Sequence, residues 1–168
     1  IDGTPKVSDL AFFLSAEYKP WEWLSLRPGV RTFIVADYDA PIAIPSVLTK
    51  FKLTKHMDLR LSYAYGFRSP TLQELYFSFH NDNHDIDGNP DLKAEYSHNI
   101  TGSVAYRVLH SEKIHLTTTL SGFYNDFRDK ISLAQNVDIP NYNTYYNIDR
   151  YKTDGGFLAD FMRWGGVR

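Results

Sequence analysis

Tyr76, His80 and His84 lie close together in one polar stretch of the chain. Imidazole is the commonest side-chain ligand for a metal, and imidazole and phenolate both ligate iron. Asp82, Asp85, Asp87, Asp91 and Glu95 make the same stretch acidic. Asn83-x-Asp85-x-Asp87-Gly88 has the opening spacing of a calcium loop, with an oxygen ligand at every second position. Two residues oppose a complete loop of that kind. Pro90 falls where a backbone-paired residue is needed, and Ala94 takes the place of the bidentate glutamate. Asp85 and Asp87 are weak calcium candidates, suited only to loose binding between loops. The plainer reading is a solvated loop whose charges oppose aggregation. Catalysis has no support: the chain contains no G-x-S-x-G, no H-E-x-x-H and no phosphate-cradling glycine loop.

The elements that must position this loop are strands. From Leu59 to Phe67 the odd positions are Leu59, Leu61, Tyr63, Tyr65 and Phe67, and the even positions are Arg60, Ser62, Ala64 and Gly66. That is period-2 alternation, with one apolar face and one small or charged face. Leu10–Tyr18, Val47–Leu53, Ile100–Tyr106 and Ile114–Leu120 repeat it. After Tyr145 two readings compete. Thr153-Asp154-Gly155-Gly156 is either a tight hairpin turn or the interior of one long strand from Tyr145 to about Met162. The long strand is favoured, because a strand needs roughly 9–11 residues to cross a bilayer.

Composition sets limits. A net charge of -2 offers no basic field, so nucleic acid is not an expected partner. The absence of cysteine excludes disulfides and thiolate metal sites. No apolar run of about 18 residues forms a transmembrane helix. Twelve tyrosines against two methionines suit strands and membrane-interface belts. The connections alternate short and long: Lys19–Trp21 short, Asp37–Pro45 longer, Lys55–Met57 short, Ser69–Ala94 very long, Leu109–Glu112 short, Asp126–Asn143 long. An up-and-down membrane barrel, with tight turns at one rim and long loops at the other, produces that parity.

Two motifs bracket the long loop: Arg68-Ser69-Pro70-Thr71-Leu72-Gln73-Glu74-Leu75-Tyr76 and Gly88-Asn89-Pro90-Asp91-Leu92-Lys93-Ala94-Glu95. They resemble R-[AS]-P-x-L-x-E-L-Y and G-N-P-x-L-K-P-E of the barrel domain of TonB-dependent outer-membrane receptors. Phe123-Tyr124-Asn125-Asp126-Phe127-Arg128-Asp129-Lys130-Ile131 resembles that family's F-Y-N-D-x-x-D-x-I. Ala94 replaces the proline of K-P-E, and Gly-Phe-Leu at 156–158 replaces a G-x-E. Phe67-Arg68-Ser69-Pro70 and Asn89-Pro90-Asp91-Leu92, with histidines between them, are also similar to the layout of the family's haem receptors.

The resemblance implies an all-β fold: an antiparallel meander of roughly eight strands, one section of a 22-stranded outer-membrane barrel. Residues 1–168 would be one partial barrel domain without plug or energy-coupling box. It implies uptake of an iron complex, haem or cobalamin, captured by extracellular loops and released inward through TonB acting on a plug. Outer-membrane lipid would be a partner, haem the cargo, and His80, His84 and Tyr76 the ligand contacts. Pro70 would end the strand, and Gly88 and Pro90 would make a turn. Leu72, Leu75 and Leu92 would anchor the loop to the wall. Arg68 would pair with plug or wall carboxylates, while Glu74 and Glu95 have no partner identifiable from sequence. An open arc with two unpaired edges would self-associate in water. The competing expectations are a complete eight-stranded barrel serving as an adhesin, and a soluble β-sandwich.

Overall fold

Alternating residues become long strands. The computed structural model describes residues 9–35, 40–81, 85–110, 114–136, 139 and 141–164. The elements are β1 (Asp9–Ser15), β2 (Tyr18–Trp21), β3 (Leu24–Val35), β4 (Ile44–Lys52), β5 (Met57–Arg68), α1 (Leu72–Tyr76), β6 (Ser78–His80), β7 (Asp85–Asp87), β8 (Glu95–His110), β9 (Ile114–Gln135) and β10 (Tyr142–Trp164). They form a single sheet in the order β1-β3-β4-β5-β8-β9-β10-β7-β6, with β2 also on β3. β1 and β2 run in line along β3, and the register slips between Tyr18 and Trp21, where Pro20 has no N–H to give. The long antiparallel wall therefore has seven strands. The sheet is open: β1 pairs with β3, and β10 with β9 and β7. It is neither a closed small barrel nor, among the described residues, a two-sheet sandwich.

Register aligns like residues across the wall. One row reads Leu24, Phe51, Leu59, Val104, Leu120 and Leu158. Its neighbour, on the other face, reads Ser25, Lys50, Arg60, Ser103, Ser121 and Phe157. The apolar face stays open, with Leu120 61% and Leu158 64% exposed. Buried hydrophobics are few. A lone sheet with a bare apolar face needs a bilayer or further protein against it. Trp21 stacks on Trp23 at 5.3 Å, and Trp23 on Phe51 at 6.2 Å, near the short-turn rim. Tyr63, Tyr65, Tyr96 and Tyr124 stand nearer the long-loop rim. Such paired aromatic girdles mark the two interfaces of a membrane barrel. No helix among the described residues is long and apolar enough to cross a membrane.

The end of the chain is one strand: Gly155 pairs with Phe123 and Gly156 with Gly122, with no turn between. The long loop expected over Asp126–Asn143 is much shorter. β9 continues to Gln135, and β10 begins at Tyr142. The 22 residues of β9, at about 3.3 Å each, exceed what a ~30 Å hydrocarbon layer requires. Beyond that layer both faces meet water or loop, so alternation fades and the sequence there looks like a connection. Asp129, at φ 51, takes up a left-handed backbone conformation in the same stretch. The meander is also interrupted once. β6 and β7 form a hairpin, and β7 runs parallel to β10, pairing Asp85 with Tyr142 and Asp87 with Thr144.

Candidate functional site

The segment between β5 and β8 folds as a mount on the extended wall. Pro70 follows the end of β5 and is buried. Thr71 then caps α1. Its Oγ accepts from the Glu74 N–H at 3.2 Å, and Glu74 Oε2 accepts from the Thr71 N–H at 2.7 Å. This reciprocal capping box satisfies two helix-start donors that would otherwise be unpaired. Thr71-x-x-Glu74 is the sequence signal for it, although the same motif reads equally as a strand running into a loop.

The return segment is stitched to α1. The Gly88 N–H donates to Phe77 O at 2.6 Å, and the Asn89 N–H to Glu74 O at 2.8 Å. A Cβ on Gly88 would lie 2.6 Å from Leu75 C and Tyr76 N, so only glycine lets the two backbones approach. Asn89 Oδ1 accepts from the Asp91 N–H at 2.9 Å, shaping the turn through Pro90, and Asn89 Nδ2 donates to Tyr145 O at 2.9 Å. Asn147 grips the Lys93 peptide from both sides and also donates to Asp129 O at 2.7 Å. Leu75, Leu92 and Ile131 form a buried cluster with Tyr145 packed on it. Leu75 and Leu92 thus pack the loop against Ile131 of the wall, while Leu72 is half-buried outside the cluster. Ala94 is buried as well.

Arg68 joins loop to wall. Its guanidinium reaches Glu74 Oε2 at 2.9 Å and Glu95 Oε2 at 3.3 Å. Glu95 Oε2 also accepts from the Ile131 N–H at 3.1 Å. The two glutamates thus find a shared partner, and Arg68 finds its carboxylates within this chain. Burial pushes the Glu74 carboxyl up, but the bonds from Arg68 and Thr71 outweigh it and hold the group below its ordinary range. Burial likewise opposes the Arg68 charge, and the two carboxylates more than restore it.

The β6–β7 hairpin projects from this mount. Asp87 Oδ1 accepts from Ser78 Oγ at 2.8 Å, and Asp87 Oδ2 lies 3.3 Å from His80 Nε2. The Ser78 bond chiefly, with His80 and Tyr142 contributing, lowers the Asp87 carboxyl against the opposing effect of burial. His80 and Tyr76 are both more than half exposed. Phe77 and Phe79, which sequence reasoning passed over, stack at 6.4 Å beside them and are also exposed. His84 lies outside the described residues, as do Asp82 and Asn83. Asp87 is engaged by Ser78 and His80, and no group of three His, Cys, Asp or Glu residues among the described residues could hold a metal ion. Asp85 stands in β7 opposite His80.

Comparison with known proteins places this architecture. A family model described as "TonB dependent receptor-like, beta-barrel" matches residues 1–164. "Hemoglobin and hemoglobin-haptoglobin-binding protein C" of Haemophilus influenzae is 38% identical over 123 residues, 68% of this chain and 11% of that protein. "Hemoglobin-haptoglobin utilization protein B" of Neisseria meningitidis serogroup C is 36% identical over 117 residues, 68% of this chain and 13% of its own length. The chain thus spans about a tenth of these relatives. Among solved structures, the hemophore receptor HasR of Serratia marcescens, in complex with its hemophore HasA and heme, matches with a TM-score of 0.76. It is 15% identical, over 95% of this chain and 32% of the receptor. The siderophore receptor PirA of Pseudomonas aeruginosa matches with a TM-score of 0.73 at 21% identity, over 93% of this chain and 28% of the receptor. Both likenesses are of fold. Proteins of this kind are transporters of the bacterial outer membrane rather than enzymes. With the motif pair, the one-sided wall and the match over residues 1–164 all in agreement, the chain belongs to the TonB-dependent receptor β-barrel family.

Proposed function

We propose that this chain is a wall section of an outer-membrane receptor that captures haem, free or from a haem protein, at its extracellular loops. The observation that carries the reading is the mount between β5 and β8. A segment of that length would ordinarily be floppy. Here a capping box, an ion pair and a small apolar cluster tether it, and it presents Tyr76, Phe77, Phe79 and His80 to solvent. Exposed aromatic rings suit the flat faces of a porphyrin, and imidazole or phenolate suits its iron. The relatives named for haemoglobin binding favour haem over the siderophore and cobalamin alternatives. Haem would be the transported ligand and not a resident cofactor. Its inward release would draw on TonB, acting through a plug domain.

The test is growth of a strain lacking its own receptor and carrying the full-length protein, with haem, haemoglobin, cobalamin or ferric siderophores as the only source of the nutrient. Haem and haemoglobin should support growth, and the double substitution His80→Ala, His84→Ala should abolish it while surface expression persists. Normal haem-dependent growth of that double variant would overturn the assignment of the histidines. Growth on siderophore or cobalamin alone would overturn the ligand.

A further inference from the structure

The inner face of the wall is not evenly polar. Among the described residues, Lys19, Arg27, Lys50, Lys52, Arg60 and Arg107 lie in one inward stripe toward the short-turn rim, against Glu17, Glu22 and Asp58. Asp58 is 2.7 Å from Arg107 and 3.5 Å from Lys50, and Glu17 is 3.2 Å from Lys19 and 3.5 Å from Arg27. Among the described residues neither Arg60 nor Lys52 has an ion-pair partner. The same three inner rows continue across β8, β9 and β10 as Thr101, Phe123, Gly155; Ser103, Ser121, Phe157; and Ala105, Thr119, Ala159. They carry no charge, so the surplus belongs to one side of this arc. An open recess of about 250 Å³ lies between Glu17, Arg27, Lys50 and Arg60. It accommodates a carboxylate arm and is too small for a whole porphyrin.

We propose that this stripe is a carboxylate-binding track, and that it takes the two propionate groups of haem on their way through the barrel. The inference rests on the haem reading above and adds where in the lumen, and by which groups, the cargo is guided. Pores that pass anions line themselves with Arg and Lys, because a fixed cation offsets the desolvation of a passing carboxylate. Arg60 and Lys52, with no ion-pair partner among the described residues, can do so. Arg27, Lys50 and Arg107 are partly neutralised, which keeps the hold weak enough for release. The loop mount lies at the opposite rim, so capture and transit use separate residues.

Arg60→Gln with Lys52→Gln tests the track in the full-length receptor without breaking a wall ion pair. Surface binding of haem to whole cells should stay within about twofold of wild type, and the rate of haem uptake should fall roughly fivefold or more. The charge-keeping pair Arg60→Lys, Lys52→Arg should restore it. Haem dimethyl ester, which has no free carboxylate, should enter both proteins at the same low rate. Unchanged haem uptake in the double Gln variant would overturn the proposal, as would equal slowing of haem and its ester. Intact haem uptake with new sensitivity to a large antibiotic such as vancomycin would assign the stripe to an acidic segment of the receptor itself, and would also overturn it. A wild-type receptor that takes up no haem would refute the haem reading, a failure visible before any substitution is made.

Discussion

Arg68→Met is the sharpest perturbation of the loop mount. It removes the cation that bridges Glu74 and Glu95, whose side chains are 16% and 15% exposed. Breaking a buried pair by deleting one partner costs about 3–5 kcal/mol. Arg68 is itself 40% exposed, and Glu74 keeps its two bonds from Thr71, so that range must be discounted. About 2–3 kcal/mol is a fair expectation, or roughly 30- to 150-fold in the opening equilibrium of the loop. The cost is local, because it falls on the docking of α1 and not on the wall ladders. Hydrogen exchange of the full-length receptor in detergent reads it directly. The Leu75, Phe77, Gly88 and Asn89 amides, which close the mount, should exchange faster by that factor, and the β3–β4 amides should not change.

The pH dependence follows the same logic. Glu74 titrates below its ordinary value in the folded loop. Its contribution is therefore present above the ordinary carboxylate range and is lost as pH falls through the depressed folded value. Without Arg68 that folded value rises, so protection should fail at a higher pH than in wild type. Adding Glu74→Gln to Arg68→Met should recover part of the loss, because one of two facing carboxylates is gone. Unchanged exchange in Arg68→Met would show that the ion pair does not hold α1, and loosening that extends to β3–β4 would show that its effect is not local.

Three further outcomes are expected. Thr71→Ala removes the side-chain half of the capping box and should cost about 1 kcal/mol of loop stability, seen as faster cleavage between residues 69 and 94 by a protease that spares wild type. Gly88→Ala should be worse, because its Cβ meets backbone atoms of Leu75 and Tyr76 that cannot move aside; the expected sign is loss of α1 protection with the barrel still folded. Asp87 is depressed by Ser78 and His80, so hairpin protection at residues 78–87 should fall as pH drops through its lowered folded value, and Asp87→Asn should abolish that acid step when exchange is followed against pH.

Alternation alone was enough to specify the strands that lie within the membrane span, their facing and the parity of their connections. Each of those strands meets lipid on one side and lumen on the other, and period-2 alternation records that difference residue by residue. The sequence also carried the prolines of the loop, Pro70 just past a strand end and Pro90 in a turn, but not the place of Gly88, which lies against the backbone of α1 outside that turn. The tertiary structure decided the rest. Above the membrane span β9 and β10 have no lipid side, so nothing in the pattern marked Phe127–Gln135 as strand; pairing with β10, the Glu95 bond to the Ile131 N–H and the packing of Ile131 on Leu75 and Leu92 hold it there. Glu74 and Glu95 flank Arg68 because Arg68 pairs with Glu95 across β5 and β8 while α1 folds back beside them. His80 meets Asp87 only because a hairpin sets residues 78–80 against 85–87. The basic stripe is scattered over β2, β3, β4, β5 and β8 in the chain, and only strand order gathers it. Alternation is a local record of environment. Ion pairs and charged stripes are sums over distant residues, and the sheet must form before those residues meet.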